Sequence, residues 1–105
     1  RIVLRLPYEL APIKAVICPL VKKDGLPEKA MSLFNELNQA LPCVYDEQGS
    51  IGKRYYRQDE AGTPFGITLD HDTLEDNSVT IRERDSMQQT RVPIDKIATF
   101  INENK

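Results

Sequence analysis

The sequence is poor in the residue types that most simple chemistries require. It has two cysteines and a single histidine. Cys18 and Cys43 each lie in an apolar, strand-like segment, without a Cys-x-x-Cys pairing and with only His71 to assist. That spacing argues against a zinc site, and buried free thiols are expected. No apolar run approaches the about 18 residues of a membrane-spanning helix, and nothing resembles the charged start and small-residue cleavage site of a signal peptide. A soluble, cytoplasmic domain is expected. An excess of positive charge is also missing, because 14 Lys and Arg face 16 Asp and Glu for a net charge of -2. A free-standing nucleic-acid binder is normally basic overall, so any such affinity must be local and modest. Gly49-Ser-Ile-Gly52 is too short for a phosphate-cradling loop and lacks the following Gly-Lys-Ser/Thr. Repeats, low-complexity tracts and internal linkers are absent.

What is present suffices for one domain over residues 1–105, since 40% apolar composition can fill a single core at this length. Arg1 already sits in a strand pattern and the chain closes on polar Asn102-Glu-Asn-Lys105, which reads as a piece of a longer protein.

Ile2, Leu4 and Leu6 alternate with Val3 and Arg5, a short strand that Pro7 ends. Ile13 to Leu20 is almost continuously apolar, as in a strand buried on both faces at the centre of a sheet. After Asp24-Gly25, Pro27 suits a first helical position, and Ala30, Leu33, Phe34, Leu37 and Ala40 predict a helix over 27–40. Pro42 stops it, and Cys43-Val-Tyr45 gives a brief strand in a right-handed parallel unit. From Ser50 as N-cap, a second helix places Ile51, Tyr55 and Gln58 inward and its cations outward, with Gly62 and Pro64 closing it. Phe65 to Asp70 and Val79 to Arg84 alternate as an antiparallel hairpin, with Asp76-Asn-Ser78 as the turn. Arg91 to Ile94 forms a short edge segment, and Asp95 caps a last helix bearing Ile97, Ala98 and Ile101. The pattern predicts an α/β fold, a mixed sheet with helices packed on it.

Candidate chemistry concentrates in two places. On a strand, Arg82 and Arg84 would share one face about 7 Å apart, with Thr80, Asp70 and Thr68 nearby to address bases or phosphates. The competing reading is a solvated, salt-bridged edge formed by Arg82, Glu83, Arg84 and Asp85. Lys53, Arg54 and Arg57 gather cations within little more than one turn at a helix start, where backbone N–H groups also favour anions. Pairing of Arg57 with Glu60 or an aspartate competes with a phosphate contact. Tyr56 is expected to point outward and could stack on a base, whereas Tyr55 reads as core. Asp70-His71-Asp72 invites a metal or general-base reading, but only the two aspartates would share a face and no further ligand follows. A Ser50, His71 and Asp72 triad lacks a nucleophile elbow.

Gly49-Ser-Ile-Gly-Lys-Arg-Tyr-Tyr-Arg-Gln-Asp-Glu-Ala-Gly62, with Phe65-Gly-Ile-Thr-Leu-Asp70, Val79-Thr-Ile-Arg-Glu-Arg-Asp-Ser-Met-Gln88 and Leu10-Ala-Pro12, resembles the C-terminal anticodon-binding domain of the glycyl-tRNA synthetases. The likeness runs through nearly the whole chain, and its Arg-Asp-Ser-Met-x-Gln segment looks specifically like the dimeric glycyl type. It implies the class IIa anticodon-binding fold, a mixed five-stranded sheet flanked by three helices. It also implies a role in holding the anticodon stem-loop of glycine tRNA beside a catalytic domain of the same chain, in a homodimeric parent enzyme. By position, the resemblance carries contacts onto Ser50, Arg54, Arg57, Thr73, Arg82, Arg84 and Asp85, to which the charge pattern adds Lys53 and Asp70. The three motifs that build the adenylate site are absent, so no catalytic residue, metal ligand or cofactor is expected in these residues. ATP and magnesium would belong to the catalytic domain. Two other functions stay open: a protein-interaction module of the same fold, as in a DNA polymerase accessory subunit, and a small enzyme using Asp70, His71 and Asp72.

Overall fold

The computed structural model describes residues 7–48 and 51–105, apart from the side chains at 51, 56, 59 and 60. The expected first strand over 2–6 and the proposed cap Ser50 lie outside the described residues, as do the side chains of Ile51 and Tyr56.

Five strands form one mixed sheet in the order β2-β1-β3-β4-β5: β1 (Ala15–Pro19), β2 (Cys43–Tyr45), β3 (Phe65–Leu69), β4 (Ser78–Glu83) and β5 (Gln89–Pro93). β1 runs parallel to both β2 and β3, while β4 is antiparallel to β3 and to β5. The expected mixed α/β sheet is therefore present, with β3 at its middle and β1 one place to the side. Four α-helices accompany it among the described residues: α1 (Leu26–Leu37), α2 (Ile51–Ala61), α3 (His71–Asp76) and α4 (Ile97–Asn104).

Strand alternation separates two faces. Ala15, Ile17, Phe65, Ile67, Leu69, Val79, Ile81 and Val92 point to one side, where Leu26, Ala30, Leu33 and Leu37 of α1 and Ile97 and Ile101 of α4 complete the core. Cys18, Gly66, Thr68, Thr80 and Arg82 fall on the other side, which α2 covers only in part. Both cysteines are buried free thiols, and burial pushes Cys43 up to about 11.

Two sequence expectations need correction. The hairpin between β3 and β4 is not joined by a simple turn, because α3 is inserted. Asp70 accepts from the Thr73 N–H while the Thr73 hydroxyl accepts from the Asp70 N–H, a reciprocal cap. Asn77, in the left-handed region at φ 59°, ends the helix. Asp95 does not cap the last helix by its side chain; it lies in a 3-10 turn, Ile94–Lys96, that leads into α4.

Gly66 shows how closely α2 is seated. A Cβ there would stand 2.5 Å from Gln58 Oε1, and Gln58 is itself buried and donates to the Thr63 carbonyl. Gly66→Ala should cost about 1–3 kcal/mol in chemical denaturation, because the amide must leave its partners. Gly52→Ala, in the same helix and with open space around it, should be stabilising by about 0.5–1 kcal/mol.

Candidate nucleic-acid interface

The order of connections reverses at β1. α1 joins β1 to β2 on the core face, and α2 joins β2 to β3 on the opposite face, so a crevice opens beyond the carboxyl end of β1. Three segments converge there. The Leu20 N–H donates to the Leu69 carbonyl at 2.7 Å, and the Asp46 N–H to the Ile17 carbonyl at 2.9 Å. Arg54 ties them to α2 by donating to the carbonyls of Pro19, Glu47 and Gln48.

Beside this crevice the uncovered part of the polar face forms a hollow of about 250 Å³, lined by Leu20, Tyr55, Thr68, Asp70, Thr80 and Gln89. Arg91, across from Thr80 in the β4–β5 pairing, stands at its rim. Its guanidinium grips Asp70 through two bonds, Nη1 to Oδ2 at 2.7 Å and Nη2 to Oδ1 at 2.9 Å, and Nε donates to Ser78 Oγ at 2.7 Å. Such planar, two-point pairing fixes both groups. The Arg91 contact holds the Asp70 carboxyl below its ordinary range, with the Thr73 bonds assisting, and Asp70 in turn raises Arg91. A fixed carboxylate and a fixed guanidinium side by side, with two threonine hydroxyls and a glutamine amide, offer donors and acceptors suited to the polar edge of an unpaired base.

The residues singled out from sequence meet this geometry unequally. Asp70 lies in the hollow, while Thr73 is fully buried and serves Asp70 and the start of α3. Arg57 is half-exposed near the crevice and pairs with Asp46 at 2.7 Å. Although burial pushes Asp46 up, the Gln48 N–H and Arg57 hold it below its ordinary value. Lys53 is exposed on the first turn of α2.

The remaining arginines do not face solvent as expected. Arg54, Arg82 and Arg84 are only 3%, 4% and 3% exposed. Arg82 and Arg84 do leave the same side of the sheet, but α2 and its closing segment cover them. Arg82 lies over the Tyr55 ring and donates to Gln58 Oε1, and Arg84 donates to the Gly62 carbonyl at 2.7 Å. Burial pulls Arg82 below its ordinary value. Asp85 is exposed and grips Arg84 through both oxygens, so this end of the expected pair takes the salt-bridged form. His71 contacts Asp24 at 3.0 Å, and among the described residues no group of three or more His, Cys, Asp and Glu side chains could hold a metal. Arg91 was missed because its segment reads as a bare edge. Its period-two position opposite Thr80 was the available signal.

Comparison with known families places this arrangement. A family model described as an anticodon binding domain matches residues 14–104. The chain belongs to the anticodon-binding domain family. Among curated relatives, the glycine–tRNA ligase of Rhodopirellula baltica is 52% identical over 101 residues, 96% of this chain and 19% of its own length. That of Borrelia hermsii is 50% identical over 101 residues, covering 96% and 23%, and that of Clostridium tetani 54% over 103 residues, covering 98% and 22%. The chain thus spans about a fifth of the length of the relatives it matches. In this anticodon-binding domain the matched region contains all five strands of the described residues.

The Asp70–Arg91 pair has a pH signature. Because the Asp70 pKa is lowered on folding, its stabilising contribution is present above the ordinary aspartate value and is lost as pH falls below about 4. Wild type should therefore be more stable than Asp70→Asn at pH 7, with the gap narrowing progressively as pH falls below about 4 in paired thermal melts.

Proposed function

We propose that this chain is the anticodon-recognition part of a glycine–tRNA ligase and that the hollow around Asp70 and Arg91 receives unpaired anticodon nucleotides. The observation that carries the reading is roughly half identity to three such ligases over nearly the entire chain. The structure supports the location: the hollow is lined by the polar side chains Thr68, Asp70, Thr80 and Gln89 as well as Tyr55 and Leu20, lies beside the topological crevice, and has the cations Lys53 and Arg57 on the adjoining helix to meet phosphates.

In this reading the Arg91 guanidinium donates to carbonyl or ring-nitrogen acceptors of a base, and the Asp70 carboxylate, held ionised, accepts from an exocyclic amino group. That complementarity suits cytosine, whose edge offers an amino donor beside two acceptors. The domain contributes recognition alone. Attachment of glycine using ATP and magnesium belongs to a catalytic domain of the parent chain, which acts as a homodimer in the cytoplasm. The negative net charge keeps isolated affinity low and makes the local cations decisive.

Titration with an RNA stem-loop bearing a glycine anticodon tests the reading. Arg91→Ala should weaken binding by about tenfold and reduce discrimination against a loop with a substituted anticodon base. Arg57→Ala should weaken both loops alike and lower the salt dependence. Equal affinity for both loops, unaltered by Arg91→Ala, would contradict the proposal.

A further inference from the structure

Arg82 lies too deep to touch an incoming nucleotide, yet it stands directly behind Tyr55, which lines the hollow. Its guanidinium carbon sits 4.6 Å from the centroid of the Tyr55 ring, and Nη1 donates to Gln58 Oε1 at 3.3 Å. Opposite Arg82 in the β3–β4 register is Gly66, whose bare Cα lets the Gln58 amide approach. Beside Arg82 in the β4–β5 register is Gln89, which lines the hollow together with Tyr55. The Tyr55 hydroxyl reaches the Thr68 hydroxyl at 3.4 Å on the hollow's floor. The phenol ring is thus fixed at its tip by Thr68 and across one face by a buried cation.

From this geometry we infer that Tyr55 is a stacking wall for one unpaired base and that Arg82 is the positioning residue that holds it. The inference rests on the proposed recognition function and assigns a ligand class, a planar nucleobase, to a ring that, among the described residues, is not one of the side chains packed on the apolar core. Aromatic rings serve single-stranded recognition because every base has a π-face to lay against them. A guanidinium placed across the ring attracts its π-system electrostatically and restricts its orientation. A stacked base then meets a ring already in place, so little ordering is required on binding. The edge contacts of Asp70 and Arg91 then read the base that Tyr55 orients.

The test uses the intact chain and a glycine-anticodon stem-loop with 2-aminopurine substituted at each unpaired position in turn. Stacking on a tyrosine quenches this fluorophore, and a purely structural role for Arg82 would not move that signal. Binding of wild type should quench one loop position. Tyr55→Leu should abolish the quench and weaken binding by about tenfold, near the lower end for one base–aromatic stack. Tyr55→Phe should keep the quench. Arg82→Met should reproduce the Tyr55→Leu effect, Arg82→Lys should restore most of it, and the Arg82→Met/Tyr55→Leu double variant should be no worse than either single one. All measurements are made at a temperature where circular dichroism shows each variant folded, and Arg82→Gln replaces Arg82→Met if the latter does not fold. A variant of Arg82 that lowers melting temperature but leaves affinity and quench unchanged would overturn the positioning role. Loop binding that depends on Arg91 but shows no Tyr55-dependent quench would overturn the stacking wall and leave the recognition function standing. Failure of wild type to bind the loop would overturn both.

Discussion

Helix α2 is fastened to the sheet by buried guanidinium groups, and none of its described side chains joins the apolar core. Arg54, Arg82 and Arg84 leave solvent almost completely, a step that is costly for a cation unless its hydrogen-bonding capacity is met. It is met here largely by backbone carbonyls: Pro19, Glu47 and Gln48 for Arg54 and Gly62 for Arg84, with Gln58 and the Tyr55 ring for Arg82. Among the described residues no buried side-chain nitrogen or oxygen lacks a partner. Carbonyls at fixed positions define where each arginine must lie, so α2 has one register on the sheet. The position of Tyr55, and with it one wall of the hollow, follows from that register, while Asp70 and Arg91 are fixed separately by α3 and β4.

The two faces of the sheet consequently do different work. The face toward α1 and α4 is apolar and closed, with Phe65 set edge-on against both Tyr8 and Phe100, and it supplies the hydrophobic stabilisation of a small domain. The face toward α2 is polar and half open, and its residues hold one another by directed bonds. Such bonds add little net stability in water-accessible places, but they fix donors and acceptors in space. That is what recognition of a base edge requires. A net negative chain can still engage RNA in this way, because a few cations at the crevice act locally while the geometry of the hollow provides selectivity.

Much of this was legible in the sequence. The continuous apolar run before Leu20, the helical spacing after Pro27 and the alternation from Phe65 define elements whose type follows from period alone, and most of their apolar residues lie in the observed core, although α1 ends at Leu37, short of the expected Ala40, and Ala40 and Leu20 are exposed. Other features were not legible because they depend on long-range partners. α3 is only six residues long, too short for periodicity, and its signal was the Asp70 and Thr73 cap. Alternation correctly put Arg82 and Arg84 on one side of the sheet, but it carries no information on whether a helix lies over that side. The same limit hid Arg91, whose importance comes from a carboxylate 21 positions away in the chain. Tyr55 read as core since it does pack inward. That it also borders an open hollow is a property of the tertiary fold.

The most direct measurement of the account is amide hydrogen exchange of the intact chain with and without a glycine-anticodon stem-loop. Protection on binding should appear in the first turns of α2, at the carboxyl ends of β1 and β3, and along β4 and β5 around Thr80 and Arg91, leaving α1 and α4 unchanged. Protection confined to the α1 and α4 face, with none around Asp70, would contradict it.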